Sequence, residues 1–175
     1  MVKVAITGHL SGLGKELYTR IPDSVGFDLG SHHDIKNPDP WIEALLSCDV
    51  FINNAYDGFH QVNMLEKVFK KWMKEDKTII NISSTASEIK HINYQMGFYP
   101  IHKKALDEAC MRLQHIEKNC RIVNVKIGWM DTPMSEDFVE EKLETKVVAD
   151  KIMYIMENKD ITSMTIDGGF KKWKY

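Results

Sequence analysis

The chain has 175 residues, 43% of them apolar and 27% charged, with a formal net charge of -2. That length suits one ordinary globular domain and is tight for two. The near-zero charge offers no global basic field for nucleic acid, and no apolar run approaches the ~20 residues of a membrane span.

Residues 2–7 read as a short buried strand and residues 15–21 as a helix ended by Pro22-Asp23-Ser24. Between them lies a glycine-rich turn, Gly8-His9-Leu10-Ser11-Gly12-Leu13-Gly14. The opening residues lead too directly into that turn to read as a secretory leader. Residues 25–29 form a second strand. A polar stretch, 30–40, follows, then a brief helix over 41–47 with Pro40 suited to its first turn. Residues 49–52 are a strand ending in Asn53-Asn54-Ala55. The spacing of Val62, Leu65, Phe69 and Trp72 or Met73 places a helix over 62–74, with an apolar face that reads as core. A strand over 78–82 ends in Ser83-Ser84, and a polar loop, 85–98, precedes a helix over 99–119. A strand over 121–127 ends in Gly128, a helix spans 146–158, and a last strand, 163–166, ends in Asp167-Gly168-Gly169. Lys171-Lys172-Trp173-Lys174 reads as a solvated basic end.

Strands and helices alternate throughout, which predicts a parallel sheet covered on both faces, because parallel strands need crossover helices. Ligands of such sheets bind outside the carboxyl ends of the strands. The informative polar and glycine residues gather at those ends: Gly8 to Gly14, Asp28, Asn53 to Ala55, Ser83-Ser84 and Gly128.

Within the first turn, Gly12 would let the backbone approach a pyrophosphate that the helix N-terminus attracts. A plain tight turn has the same composition. Asp28 could accept hydrogen bonds from an adenine ribose and repel a 2′-phosphate, or it could be a solvated turn aspartate. No Arg or Lys stands in the turn before Gly12 to meet such a phosphate. Tyr99 and Lys103 lie one helical turn apart on one face. A cation beside a phenol is expected to lower the phenol pKa, as proton transfer near neutrality needs. The three cysteines, Cys48, Cys110 and Cys120, form no CxxC and suit reduced thiols in a cytoplasmic protein. The histidines form no HxxxH or Cys/His cluster, so no metal is expected.

Together these residues resemble the short-chain dehydrogenase/reductase family, in the family's order and over nearly the whole chain. Thr7 to Gly14 resembles its TGxxxGxG cofactor turn, and Asp34-Ile35 its acid-plus-aliphatic pair beside the adenine. Asn53-Asn54-Ala55 resembles NNAG, with Tyr56 in place of the glycine. Asn81 to Ser84 resembles the strand that delivers the catalytic serine, Ser84 by family pattern. Tyr99 and Lys103 resemble YxxxK, Gly128 to Thr132 resembles PGxxxT with Ile127 for the proline, and Thr165 to Gly169 resembles the closing VDGG.

The resemblance implies a Rossmann-like, doubly wound α/β/α fold and reversible hydride transfer between a nicotinamide and a small-molecule carbonyl or alcohol, with NAD(H) the preferred cofactor and NADP(H) possible. It implies Tyr99 as acid/base, Ser84 on the substrate oxygen and Lys103 on the nicotinamide ribose. Asn63, the one asparagine on the 62–74 helix, would be the fourth catalytic residue. Gly8, Leu10, Ser11, Gly12, Leu13, Gly14, Asp28, Asp34, Ile35, Asn54, Ala55, Tyr56, Gly128 and Thr132 would join Tyr99 and Lys103 around the cofactor. Tyr56, Met96, Phe98, Trp129 and Met130, with Ser84, would form the substrate pocket, and Phe59 is a further apolar candidate. Family habit also implies a homodimer or homotetramer. Members are typically longer. Here the passage from Asp28 to Asp49 cannot hold a full helix-strand-helix, so an outer helix should reduce to a loop. The stretch 133–144, where a substrate lid usually forms, is brief as well. The same Tyr, Lys and Ser also serve nucleotide-sugar epimerases and dehydratases. A non-catalytic nucleotide-sensing protein is the third reading.

Overall fold

Short runs of branched aliphatic residues build the sheet, because strands covered on both faces need side chains that pack on each side. The computed structural model describes residues 2–89, 97–136 and 141–168. Within them the order is β1 (Val4–Thr7), α1 (Gly12–Arg20), β2 (Val25–Phe27), α2 (Ile42–Leu46), β3 (Val50–Asn53), α3 (His60–Trp72), β4 (Thr78–Ser84), α4 (Tyr99–Gln114), β5 (Arg121–Ile127), α5 (Thr145–Glu157) and β6 (Ser163–Ile166). The final Gly169 of the VDGG match and the basic 171–174 stretch fall outside the described residues.

The six strands pair in parallel in the order β2-β1-β3-β4-β5-β6. From β1 the chain steps outward to β2, then crosses back to β3 on the other side. The crossovers therefore diverge between β1 and β3, and a crevice opens at their carboxyl ends. Alternate side chains feed two core layers. Val4, Ile6, Ile52, Ile80, Val123 and Val125 meet Leu13 and Leu17 of α1 and Val148 and Ile152 of α5. Ala5, Phe51, Ile79 and Ile122 point the other way, toward Leu45, Met64, Leu65, Trp72 and Leu106 on α2, α3 and α4. The result is a Rossmann-like three-layer α/β/α sandwich.

Between β2 and β3 the described chain has only a 3-10 turn at Leu29–Ser31 and the short α2. This is the compact passage expected from its length. Aromatic packing closes the space: Phe27 stacks on Trp41 with centroids 4.9 Å apart, and both are buried. Helix α4 ends at Gln114, short of the expected Asn119. There the chain turns to α3, and Asn119 donates to the carbonyls of Met73 and Lys74. Among the described residues no helix is long and apolar enough to cross a membrane. Cys48, Cys110 and Cys120 are free and buried.

Candidate active site

The crevice is fixed by bonds between the ends of β1 and β3. The buried Thr7 hydroxyl accepts from the backbone N–H of Asn54 at 3.0 Å and of Ala55 at 3.1 Å. The Asn54 side chain donates back to the Thr7 carbonyl at 3.0 Å. Behind this tie, an added Cβ on Gly14 would lie 2.0 Å from the Gly8 carbonyl oxygen. Only glycine lets α1 approach β1 so closely, so Gly14 acts beneath the crevice rather than on its lining. Gly12 takes a φ of +48°, and a Cβ there would come within 3.0 Å of the Thr132 methyl. Ser11 precedes α1 without a side-chain capping bond, which leaves first-turn N–H groups for a ligand.

The crevice opens into a cleft of about 590 Å3, within the usual range for small-molecule sites. Gly8, Ser11, Gly12 and Leu13 line one wall, with Asn54, Ala55, Gly128 and Thr132 around them. Asp28, Asp34 and Ile35 line the β2 end, together with Leu29 and His33, which the sequence reading did not single out. Both acids also shape local turns. Asp28 Oδ1 accepts from the Gly30 N–H at 2.9 Å, and Asp34 Oδ1 from the Lys36 N–H at 2.9 Å. Leu10 is half exposed and lies outside the lining.

Ser84, Tyr99 and Lys103 meet at the β4 end of the same cleft. Ser84 closes β4, its Oγ accepting from the Ala86 N–H at 3.1 Å, and its side chain hydrogen-bonds Tyr99. Tyr99 opens α4 and Lys103 follows one turn later. Lys103 is buried, and its Nζ donates to Gln61 Oε1 and to the Ile82 carbonyl, both at 2.8 Å. That nitrogen lies 5.5 Å from the Tyr99 ring centre and 5.3 Å from that of Tyr56.

The electrostatics differ from the expectation drawn from spacing alone. Burial pushes the Tyr99 phenol above its ordinary pKa, with the Ser84 hydrogen bond opposing. Burial also pulls Lys103 down to about 7, against the upward influence of the Asp107 carboxylate. Desolvation disfavours both charged forms at once, so the lysine does not lower the phenol here.

The structure does not bring Asn63 to this centre. It is exposed on α3 and lines a separate shallow recess with Asn37, Pro38 and Lys67. The residue beside Lys103 is Gln61, two positions earlier and on the inward face. It shares the phase of buried Met64, Leu65 and Val68. A polar residue at that core phase was the signal that could have found it. Helical geometry turns Asn63 about 200° away from Gln61.

The expected substrate wall is assembled in part. Tyr56, Trp129 and Met130 line the cleft. The Tyr56 hydroxyl meets His102 Nδ1 at 2.8 Å, and its ring stands edge-on to Tyr99 at 4.8 Å. Phe98 is 68% exposed and lies off the lining, as does Phe59, which packs on His102 at 4.4 Å. Met96 falls outside the described residues, as do 137–140 of the brief 133–144 stretch. Buried Asp107 was not anticipated. It accepts from Ser83 Oγ and Ser87 Oγ, both at 2.5 Å, and from Asn124 Nδ2 at 2.8 Å, fastening the end of β4 to α4. Among the described residues no three His, Cys, Asp or Glu side chains gather as a metal site.

No protein-family model matches the chain, and no curated protein matches it in sequence. Solved structures match its fold. A 3-ketoacyl-(acyl-carrier-protein) reductase from Brucella melitensis, complexed with NADH, superposes with a TM-score of 0.81 at 19% identity, covering 96% of this chain and 97% of its own. A 4-hydroxyisoleucine dehydrogenase complexed with NADH gives 0.78 at 17% identity, covering 99% and 100%. A small-chain dehydrogenase in complex with NADPH gives 0.75 at 15% identity, covering 95% of each chain. The chain therefore has the fold of the short-chain dehydrogenase/reductases.

Proposed function

We propose that this chain is a single-domain nicotinamide-dependent oxidoreductase of the short-chain dehydrogenase/reductase type, acting reversibly on a carbonyl/alcohol pair. One observation carries the reading: Ser84, Tyr99 and Lys103 converge at one end of a cleft that starts at the β1/β3 switch point. The glycine turn suits a dinucleotide. Gly12 leaves room that a Cβ would fill against Thr132, and the uncapped start of α1 offers N–H groups to a pyrophosphate. Asp28 and Asp34 lie where an adenine ribose would sit and favour NAD over a 2′-phosphate. Lys103 would bind the nicotinamide ribose, and Thr132 and Gly128 would flank the ring.

A bound nicotinamide supplies or accepts the hydride. Ser84 donates a hydrogen bond to the substrate oxygen, stabilising the charge that develops there. Tyr99 passes the proton to that oxygen in reduction and takes it back in oxidation. Tyr56, Trp129 and Met130 make the wall over this centre apolar and aromatic, which suits a small or medium apolar or cyclic ketone. Buried free thiols fit a reducing, cytoplasmic setting. Exposed Ile101 and Met111 on α4 fit a homo-oligomeric contact.

The test is a thermal-shift screen with NAD, NADH, NADP and NADPH, followed by a carbonyl panel with the best nucleotide. NAD(H) should give the larger shift. Tyr99→Phe should keep that shift and lose roughly 100-fold or more of carbonyl-dependent NADH oxidation. Full activity in Tyr99→Phe would remove the assignment.

A further inference from the structure

Gln61 is buried at the start of α3, on a face otherwise made of Met64, Leu65 and Val68. Space alone would be filled by another apolar residue. A buried carboxamide is instead costly unless its polar atoms are met. Here they are. Nε2 donates to the Asn53 carbonyl at 2.7 Å and to the Ile82 carbonyl at 3.0 Å, while Oε1 accepts from Lys103 Nζ at 2.8 Å. Asn53 secures the same turn, its Nδ2 donating to the Gln61 carbonyl and to Asn81 Oδ1, both at 2.9 Å. The two donor bonds orient the amide, so its oxygen is held toward the lysine.

We propose that Gln61 is the positioning residue for Lys103, its amide oxygen keeping the ammonium charged and in place beside Tyr99. The proposal rests on the oxidoreductase reading, in which Lys103 binds the cofactor ribose. Among the described residues, the groups acting on Lys103 Nζ are few. Gln61 reaches it from α3, the Ile82 carbonyl from β4, and Tyr56 from the loop after β3. Its own helix supplies Tyr99 and the Asp107 carboxylate. Asp107 is already engaged by Ser83, Ser87 and Asn124, with Lys126 Nζ 3.5 Å away. Burial brings Lys103 to about 7. Near neutrality each acceptor on Nζ therefore bears on how much of it is charged.

The experiment uses the full chain with [15N]lysine labelling. The Lys103 Nζ titration is followed by NMR and assigned with Lys103→Met, while NADH affinity is measured by fluorescence across the same pH range. Gln61→Met keeps length and removes the acceptor; it should lower the Lys103 midpoint by about one pH unit, a tenfold loss of ammonium above the midpoint. Gln61→Glu places an opposite charge there and should raise the midpoint by about one to three units. The NADH pH profile should move with each. Should Gln61→Glu fail to fold, its carboxylate facing two carbonyls, the Met variant decides alone, with thermal melting confirming that it is folded. Unchanged Lys103 midpoints in the folded variants overturn the proposal even if NADH turnover is intact. If wild-type protein binds no NADH at any pH while the midpoints move as stated, the oxidoreductase reading falls and the Gln61 control of Lys103 stands.

Discussion

Tyr99 and Lys103 stand one helical turn apart, and their burial decides what that spacing means. In water an ammonium at this distance would favour the tyrosinate. In this site both charged forms are desolvated, so the phenol is held above its ordinary pKa and the ammonium is brought to about 7. A phenol with a raised pKa is protonated at neutral pH, which suits giving a proton to a carbonyl. The reverse of the proposed reaction needs the tyrosinate, which accumulates as pH climbs toward the raised value. At saturating NADH, carbonyl reduction should therefore stay flat up to about pH 10, while alcohol oxidation should rise across the alkaline range. Steady-state rates in both directions from about pH 6 to 10 check this, and an oxidation rate indifferent to pH would take Tyr99 out of proton transfer. Asn63 gives the opposite expectation. Its side chain is exposed and belongs to another recess. Asn63→Ala should leave turnover unchanged and shift stability by no more than about 0.5 kcal/mol in urea unfolding.

At the scale of elements, the decisive contact is α1 against the end of β1. The atom nearest a Cβ on Gly14 would be the Gly8 carbonyl oxygen, which is backbone and cannot rotate away. Gly14→Ala must therefore push the helix outward. The expected loss is about 3 kcal/mol in urea unfolding, together with loss of the nucleotide thermal shift. A variant with wild-type stability and binding would show that α1 can slide without consequence. The strands and helices were legible because buried parallel strands read as unbroken apolar runs and the helices repeat at 3.6 residues. The compact passage between β2 and β3 was legible from residue count alone. Side-chain direction was less so. Apolar content located α3, yet the choice between Gln61 and Asn63 depended on which phase of the helix faces β4. Aromatic character makes Phe98 a pocket candidate, but the turn into α4 leaves it exposed. Asp107 was not legible because its partners, Ser83, Ser87 and Asn124, lie outside its own helix, on the 83–87 stretch and on β5.

For the whole molecule, burying Lys103 makes stability depend on pH. In the unfolded chain a lysine titrates near its ordinary ~10.4; in the fold this one titrates at about 7. Between those values the unfolded state holds a proton that the native state has released. Stability should therefore rise with pH across that window and not respond to Lys103 below it. Lys103→Met removes this titration, although it also leaves Gln61 Oε1 without its donor and so lowers stability by an amount independent of pH. Subtracting the unfolding free energies of the two proteins at each pH cancels the groups they share. The wild type minus variant difference should be level below about pH 6.5 and climb toward about pH 10, by at most roughly 4 kcal/mol. Urea unfolding at matched ionic strength measures it. A difference that stays level across the range would mean that Lys103 keeps its ordinary pKa in the fold. It would then be fully charged beside Tyr99 at neutral pH, and the phenol should titrate lower than its burial alone implies.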